Sequence, residues 1–100
     1  DQQKAAAWFR KAFDIMLSNG LVQLLADLVL TYGPQVEAMF PLETVVPVRS
    51  LRQAVEVLEE NGLEAAALRI CESCGYEREV VEILAKRGRA NRLAALMTSE

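Results

Sequence analysis

Cys71-Glu72-Ser73-Cys74 is the one stretch whose residue types and spacing could do chemistry. A C-x-x-C can hold half of a tetrahedral zinc site, act as a redox pair, or form a half-site that a second chain completes. Zinc needs four ligands, and the 100 residues contain no other cysteine and no histidine. Thioredoxin-like exchange needs a βαβ setting, which the helical patterning of this chain does not provide. The absence of histidine also removes Ser-His-Asp and Cys-His nucleophilic catalysis, the His-bearing zinc motifs and C-x-x-C-H haem attachment. No phosphate loop and no dinucleotide fingerprint is present. The chain therefore reads as a non-enzyme with no cofactor. The cysteines are expected to be buried and structural, since free cysteine behaves as a small hydrophobe. A zinc-bridged dimer using Cys71 and Cys74 from each of two chains is the alternative.

Lys86-Arg87-Gly88-Arg89-Ala90-Asn91-Arg92 is the second candidate, with four cations in seven residues. Phosphate or an acidic partner could meet it. However, no aromatic residue is interleaved for base stacking, and residues 56–82 carry eight acids against two arginines, so the cluster reads mainly as charge balance. The net charge of −3 offers no overall basic field, and nucleic acid is a weaker alternative rather than the expected partner. Glu59-Glu60 and Glu77/Glu79/Glu82 read as solvated helix faces, not as acid catalysts.

The elements that position these residues follow from an internal repeat. Sliding the chain by 42 residues superimposes Arg10/Arg52, Ala12/Ala54, Asn19/Asn61, Gly20/Gly62, Leu21/Leu63, Gly33/Gly75 and Glu37/Glu79. Each half reads as a helix, an Asn-Gly break, a second helix, a Gly stop and a short third helix. Ala5, Trp8, Phe9, Ala12, Phe13 and Met16 follow the spacing of a half-buried helix, matched by Pro47, Ser50, Leu51, Ala54, Val55 and Leu58. Ser50-Leu51-Arg52-Gln53 is a capping box expected to start the latter helix. The middle helices carry Leu21, Leu24, Leu25, Leu28, Val29 and Tyr32, matched by Leu63, Ala66, Ala67, Ile70, Cys71 and Cys74. Gly33 and Gly75 are expected to end them, with third helices over residues 34–40 and 76–86. Residues 41–49 are expected to be loop. Beyond Gly88, Leu93, Leu96 and Met97 start a further stripe.

Three helices in about 42 residues resemble an armadillo or HEAT-type unit. The stretch from Ala67-Leu68-Arg69-Ile70-Cys71-Glu72 through Gly75 to Val80-Val81-Glu82-Ile83-Leu84 is also similar to a clathrin-heavy-chain-type repeat. The resemblance implies an all-α, right-handed α-solenoid segment with units over 5–46 and 47–88 and the start of a third over 89–100. It also implies a protein-interaction or scaffold module. The asparagine by which armadillo units grip extended peptides is missing from both middle helices, so that binding mode is not carried over.

The candidate partner-binding residues are Trp8, Asp27, Arg69, Lys86, Arg87, Arg89 and Arg92. Trp8 adjoins Phe9, so one stripe cannot bury both equally well; core packing is its expected role and partner anchoring the alternative. Asp27 and Arg69 match across the repeat and are expected to lie close together as an ion pair. Two cysteines and no signal peptide point to a reducing, cytoplasmic setting. The longest apolar run, residues 21–30, is half a membrane span and is interrupted by Gln23 and Asp27. The chain opens on Asp1 rather than Met, and neither terminal helix reads as a polar cap. It is expected to be a piece of a longer chain, its ends covered by further helices or by self-association.

Overall fold

The computed structural model describes the backbone of residues 1–98 and side chains as far as residue 88. The side chains of Arg89 and Arg92 and the expected stripe Leu93, Leu96 and Met97 lie outside the described residues. Among those described, every regular element is a helix: α1 Gln2–Ser18, α2 Val22–Met39, α3 Leu42–Val45, α4 Val48–Glu60, α5 Glu64–Cys74 and α6 Glu77–Thr98.

Two turns have the same construction. In each, an Asn-Gly-Leu sequence reverses the chain between helices, α1 to α2 and α4 to α5. Gly20 and Gly62 take φ of +67° and +74°, and the following leucine N–H reaches back into the helix. Leu21 donates to the Met16 carbonyl at 2.9 Å and Leu63 to the Leu58 carbonyl at 2.8 Å. This is the Schellman arrangement, which satisfies carbonyls the helix end would leave orphaned. The asparagines repeat too: Asn19 Nδ2 donates to the Ile15 carbonyl at 2.7 Å and Asn61 Nδ2 to that of Val57 at 2.8 Å.

The second glycine pair behaves oppositely at its two positions. Gly75 ends α5 with φ 70° and ψ 28°, and Tyr76 N–H donates to the Cys71 carbonyl at 2.9 Å. Gly33, its counterpart, lies inside α2, which continues to Met39 as a single helix with Pro34 within it. The expected stop at Gly33 and separate helix over 34–40 are therefore corrected. Pro34 has no N–H to make the bond that Tyr76 makes, so the same left-handed stop cannot close there.

Three further boundaries differ from expectation. The chain over 41–49 is not all loop: Leu42–Val45 makes one helical turn that buries Leu42, Val45 and the following Val46. The capping box at Ser50 does not form. Helix α4 already begins at Val48 behind Pro47, and Leu51 N–H donates to the Pro47 carbonyl at 3.0 Å, leaving Ser50 inside the first turn. Finally, α6 passes through Gly88 without a break. The residues flanking Gly88 (Ala85, Lys86, Arg87, Arg89, Ala90) are strong helix formers, and together they outweigh the roughly 1 kcal/mol cost of one internal glycine.

Packing joins helices consecutive in the chain and, mainly through α2 and α5, the two hairpins to each other. Helix α1 lies on α2, α3 and α4; α5 lies on α2, α3 and α4; and α6 lies on α5. A single core joins Phe9 and Phe13 of α1, Leu25, Val29 and Val36 of α2, and Leu51, Ala54 and Leu58 of α4. Ala67, Ile70 and Cys71 of α5 and Ile83 of α6 complete it. The arrangement is elongated, 57 × 26 × 21 Å, with a radius of gyration of 15.0 Å.

Ion pairs mark the register between helices. Arg69 of α5 meets Glu37 of α2 at 3.0 Å, not Asp27, whose carboxylate instead accepts a 3.4 Å bond from Gln23 of its own helix. Glu37 lies ten residues further along α2, about 15 Å at 1.5 Å per residue, so the expected Asp27–Arg69 pairing is corrected. The 42-residue match aligns turns, but the crossing of α5 over α2 decides which side chains meet. A double-mutant cycle on Arg69→Met and Glu37→Gln, read by urea unfolding, should give a coupling of about 0.5–1 kcal/mol for this partly exposed pair. The corresponding Arg69–Asp27 cycle should give none. A larger coupling to Asp27 than to Glu37 would contradict the observed register.

Candidate interaction surface

The largest departure from a buried-core reading is at Trp8. On α1, Phe9 and Phe13 turn inward and are fully buried, while Trp8 is 51% exposed, so its expected core role is corrected. At 100° per residue, Lys4, Trp8, Lys11 and Ile15 fall within roughly 60° of one another, on a face turned away from Phe13. Trp8 stands edge-on to Tyr32 of α2, ring centroids 5.2 Å apart and planes at 79°. This is the favoured T-shaped geometry. Ile15 of α1 and Leu24 of α2 are each half exposed as well. Leu21, Leu24 and Tyr32, expected to pack as part of the α2 stripe, are instead largely exposed. The result is an aromatic and aliphatic face on the α1–α2 hairpin, with Lys4 and Lys11 set among its apolar side chains. Large exposed apolar patches on soluble proteins mark interaction sites.

At the other end, Val81 is 66% exposed and Leu84 about half exposed. Beside Val81 lies an open hollow of about 490 Å³ lined by Cys71, Glu72, Gly75, Glu77, Val80 and Val81.

The charged candidates are tied into the fold. Lys86 approaches Glu59 of α4 at 3.7 Å, and Arg87 meets Glu64 of α5 at 3.1 Å, so both cations sit against the acids that precede them in the chain. Arg52 of α4 meets Glu79 at the start of α6 at 3.1 Å and covers the Tyr76 ring at 4.2 Å. Glu79 is held below the usual carboxylate range, first by its own backbone N–H at the helix start and then by Arg52. The Arg52–Tyr76–Glu79 group clamps the Gly75 turn. Sequence reasoning passed over it because its members lie 24 and 27 residues apart along the chain.

Cys71 is fully buried and Cys74 half-buried; neither is in a disulfide. Complete burial is thus corrected for Cys74. Burial raises each thiol from 9.0 to about 11, with Glu79 adding at Cys71 and Glu43 at Cys74. Among the described residues, no group of three or more His, Cys, Asp or Glu side chains is placed to hold a metal ion. A zinc ion shared between two chains needs both thiolates at the surface, and Cys71 has no exposed area. Because the folded thiols hold their protons more tightly than the unfolded ones, stability should be full below pH 9 and fall as pH rises toward 11. Cys71→Val should fold with little loss, since Val29 occupies the matching position, and should reduce that alkaline loss. Urea unfolding at pH 7, 9 and 10.5 tests both statements; an unchanged alkaline loss in the variant would exclude Cys71 as its source.

Among the described residues, no helix is long and apolar enough to cross a membrane. No family model, no curated protein and no solved structure matches this chain.

Proposed function

We propose that this chain is a non-catalytic interaction module. Its two helical hairpins would act as units of a right-handed armadillo- or HEAT-like solenoid segment and present the α1–α2 face to a protein partner. The observation that carries this reading is the half-exposed Trp8, fixed edge-on against Tyr32 on a face that also carries Ile15 and Leu24. A rigid, half-buried aromatic supplies contact area at small entropic cost, which is why Trp and Tyr dominate binding hot spots. The identical Asn-Gly-Leu turns and the elongated shape support the stacked-hairpin reading. The aromatic face would take an apolar helix flanked by acids, because Lys4 and Lys11 sit within it. A reducing cytoplasmic setting accords with two unpaired cysteines.

Trp8 is the single tryptophan, so its fluorescence reports this face directly. Affinity capture with the full chain should recover partners that Trp8→Ala and Leu24→Ala release, with affinity falling at least about tenfold. Circular dichroism of both variants should match the parent. Partners retained equally by both folded variants would overturn the assignment of this face.

A further inference from the structure

We propose that copies of this chain associate head to tail, the Lys4–Trp8–Lys11–Ile15 ridge of one copy seating on the Glu77–Val81–Leu84 face of α6 in the next. This rests on the reading of the α1–α2 face as an interaction surface and names its occupant. Three observations carry it. First, the two faces belong to different parts of the packing: α1 packs chiefly on α2, whereas α6 packs chiefly on α5 and reaches α4 through Arg52–Glu79 and Lys86–Glu59.

Second, the spacing agrees. The ridge falls at i, i+4, i+7 and i+11 of α1, and Glu77, Val81, Leu84 and Gly88 fall at the same intervals on α6. Each thus forms a narrow stripe three turns long, and Gly88, with nothing within 4 Å of where a Cβ would stand, leaves the end of the second stripe open. The ridge carries the larger side chains, and the hollow beside Val81, about 490 Å³, can receive one of them.

Third, the charges are complementary only in this sense. Lys4 and Lys11 rim the ridge, and Glu72 and Glu77 rim the hollow. Ridge against ridge would oppose four lysines, and tail against tail four glutamates. Like-charge juxtaposition of this kind rejects both symmetric pairings. A heterologous contact leaves a ridge free at one end and a hollow free at the other, so association is open-ended and grows with concentration. The contact is small, which places it among weak, reversible interfaces.

Sedimentation equilibrium on the full chain from about 10 μM to about 1 mM spans the range expected of a weak interface. The average mass should rise steadily, and Trp8 emission should shift to the blue as the indole leaves water. Trp8→Glu destroys the ridge and Val81→Lys the tail; both positions are exposed, so helicity should be unchanged. Each variant alone should associate at least about tenfold more weakly than the parent. Mixed together they should form a one-to-one dimer and stop there, because one copy keeps an intact tail and the other an intact ridge. Lys4→Glu/Lys11→Glu and Glu72→Lys/Glu77→Lys should each lose self-association when alone, whereas an equal mixture of the two should regain open-ended growth, because each mutated or native face then meets its opposite charge. A parent that stays monomeric, or a Val81→Lys variant that associates as the parent does, overturns the head-to-tail contact. Loss on Trp8→Glu with no effect of Val81→Lys leaves the α1–α2 face as a binding surface with a different occupant. Loss on neither overturns the head-to-tail contact alone, and the affinity capture with Trp8→Ala and Leu24→Ala then decides the α1–α2 face.

Discussion

Truncating Phe13 to alanine is expected to cost about 3–5 kcal/mol, the usual range for removing a buried phenylalanine. Phe13 has no exposed surface and stacks at a tilt on Phe9, centroids 6.1 Å apart. Phe13 belongs to the core shared by the helices, so the cavity would open inside close-packed surroundings that collapse only in part. A domain of this size holds on the order of 5–15 kcal/mol in total. The variant should therefore be close to unfolding at 25 °C, with its urea midpoint strongly reduced. Ile15→Ala, two residues along the same helix but half exposed, should change stability by no more than about 0.5 kcal/mol. Equal losses from the two substitutions would mean that α1 presents a different face to the core.

The second large effect is a difference between two glycines that the 42-residue match treats as equivalent. Gly75→Ala should destabilise by about 1–2 kcal/mol, because φ of +70° is costly for any residue with a Cβ. Gly33→Ala should change stability by no more than about 0.5 kcal/mol, because the gain from alanine at a helical position is opposed by crowding of its Cβ against the Cδ of Pro34. Beyond the chain neighbours and the helix's own backbone, no atom lies within 4 Å of where a Cβ would stand at either glycine, so neither effect comes from a tertiary clash. Thermal unfolding of the two variants beside the parent reads the difference directly. If Gly33→Ala destabilised as much as Gly75→Ala, α2 would have to end at Gly33 after all.

What could be read along the chain was local. The Asn-Gly-Leu turns were legible because a Schellman stop needs only one residue tolerant of positive φ, one N–H behind it and an apolar contact, all within six residues. The inward faces of α1 and α4 were legible because Phe9, Phe13, Leu51, Ala54, Val55 and Leu58 carry the helical period. The Gly33 stop was misread even though its reason is also local. Pro34 sits at the position whose N–H a Schellman stop uses, and that single missing donor joins two expected helices into one.

The candidate site was legible only as residue types. Trp8 could be singled out from its place next to Phe9. Whether it or its neighbour faced the core depended on where α2 and α4 press against α1, and no spacing within α1 contains that. Helical periodicity determines which residues share a stripe, whereas the packing partners decide how wide the buried stripe becomes. Leu21, Leu24 and Tyr32 remain about half exposed because neither α1 nor α5, the helices packed most extensively on α2, closes fully over them. For the same reason Arg69 reaches Glu37 and not Asp27. A repeat predicts equivalent positions along the chain, but contact depends on the crossing of α5 over α2, and a crossing belongs to two helices at once. The all-helical class and the two Asn-Gly-Leu turns follow from the sequence by itself, since each is closed by bonds a few residues long. The exposure of the Trp8 face and the pairing of Arg69 with Glu37 came only with tertiary packing, since burial and contact are properties of neighbours distant in sequence.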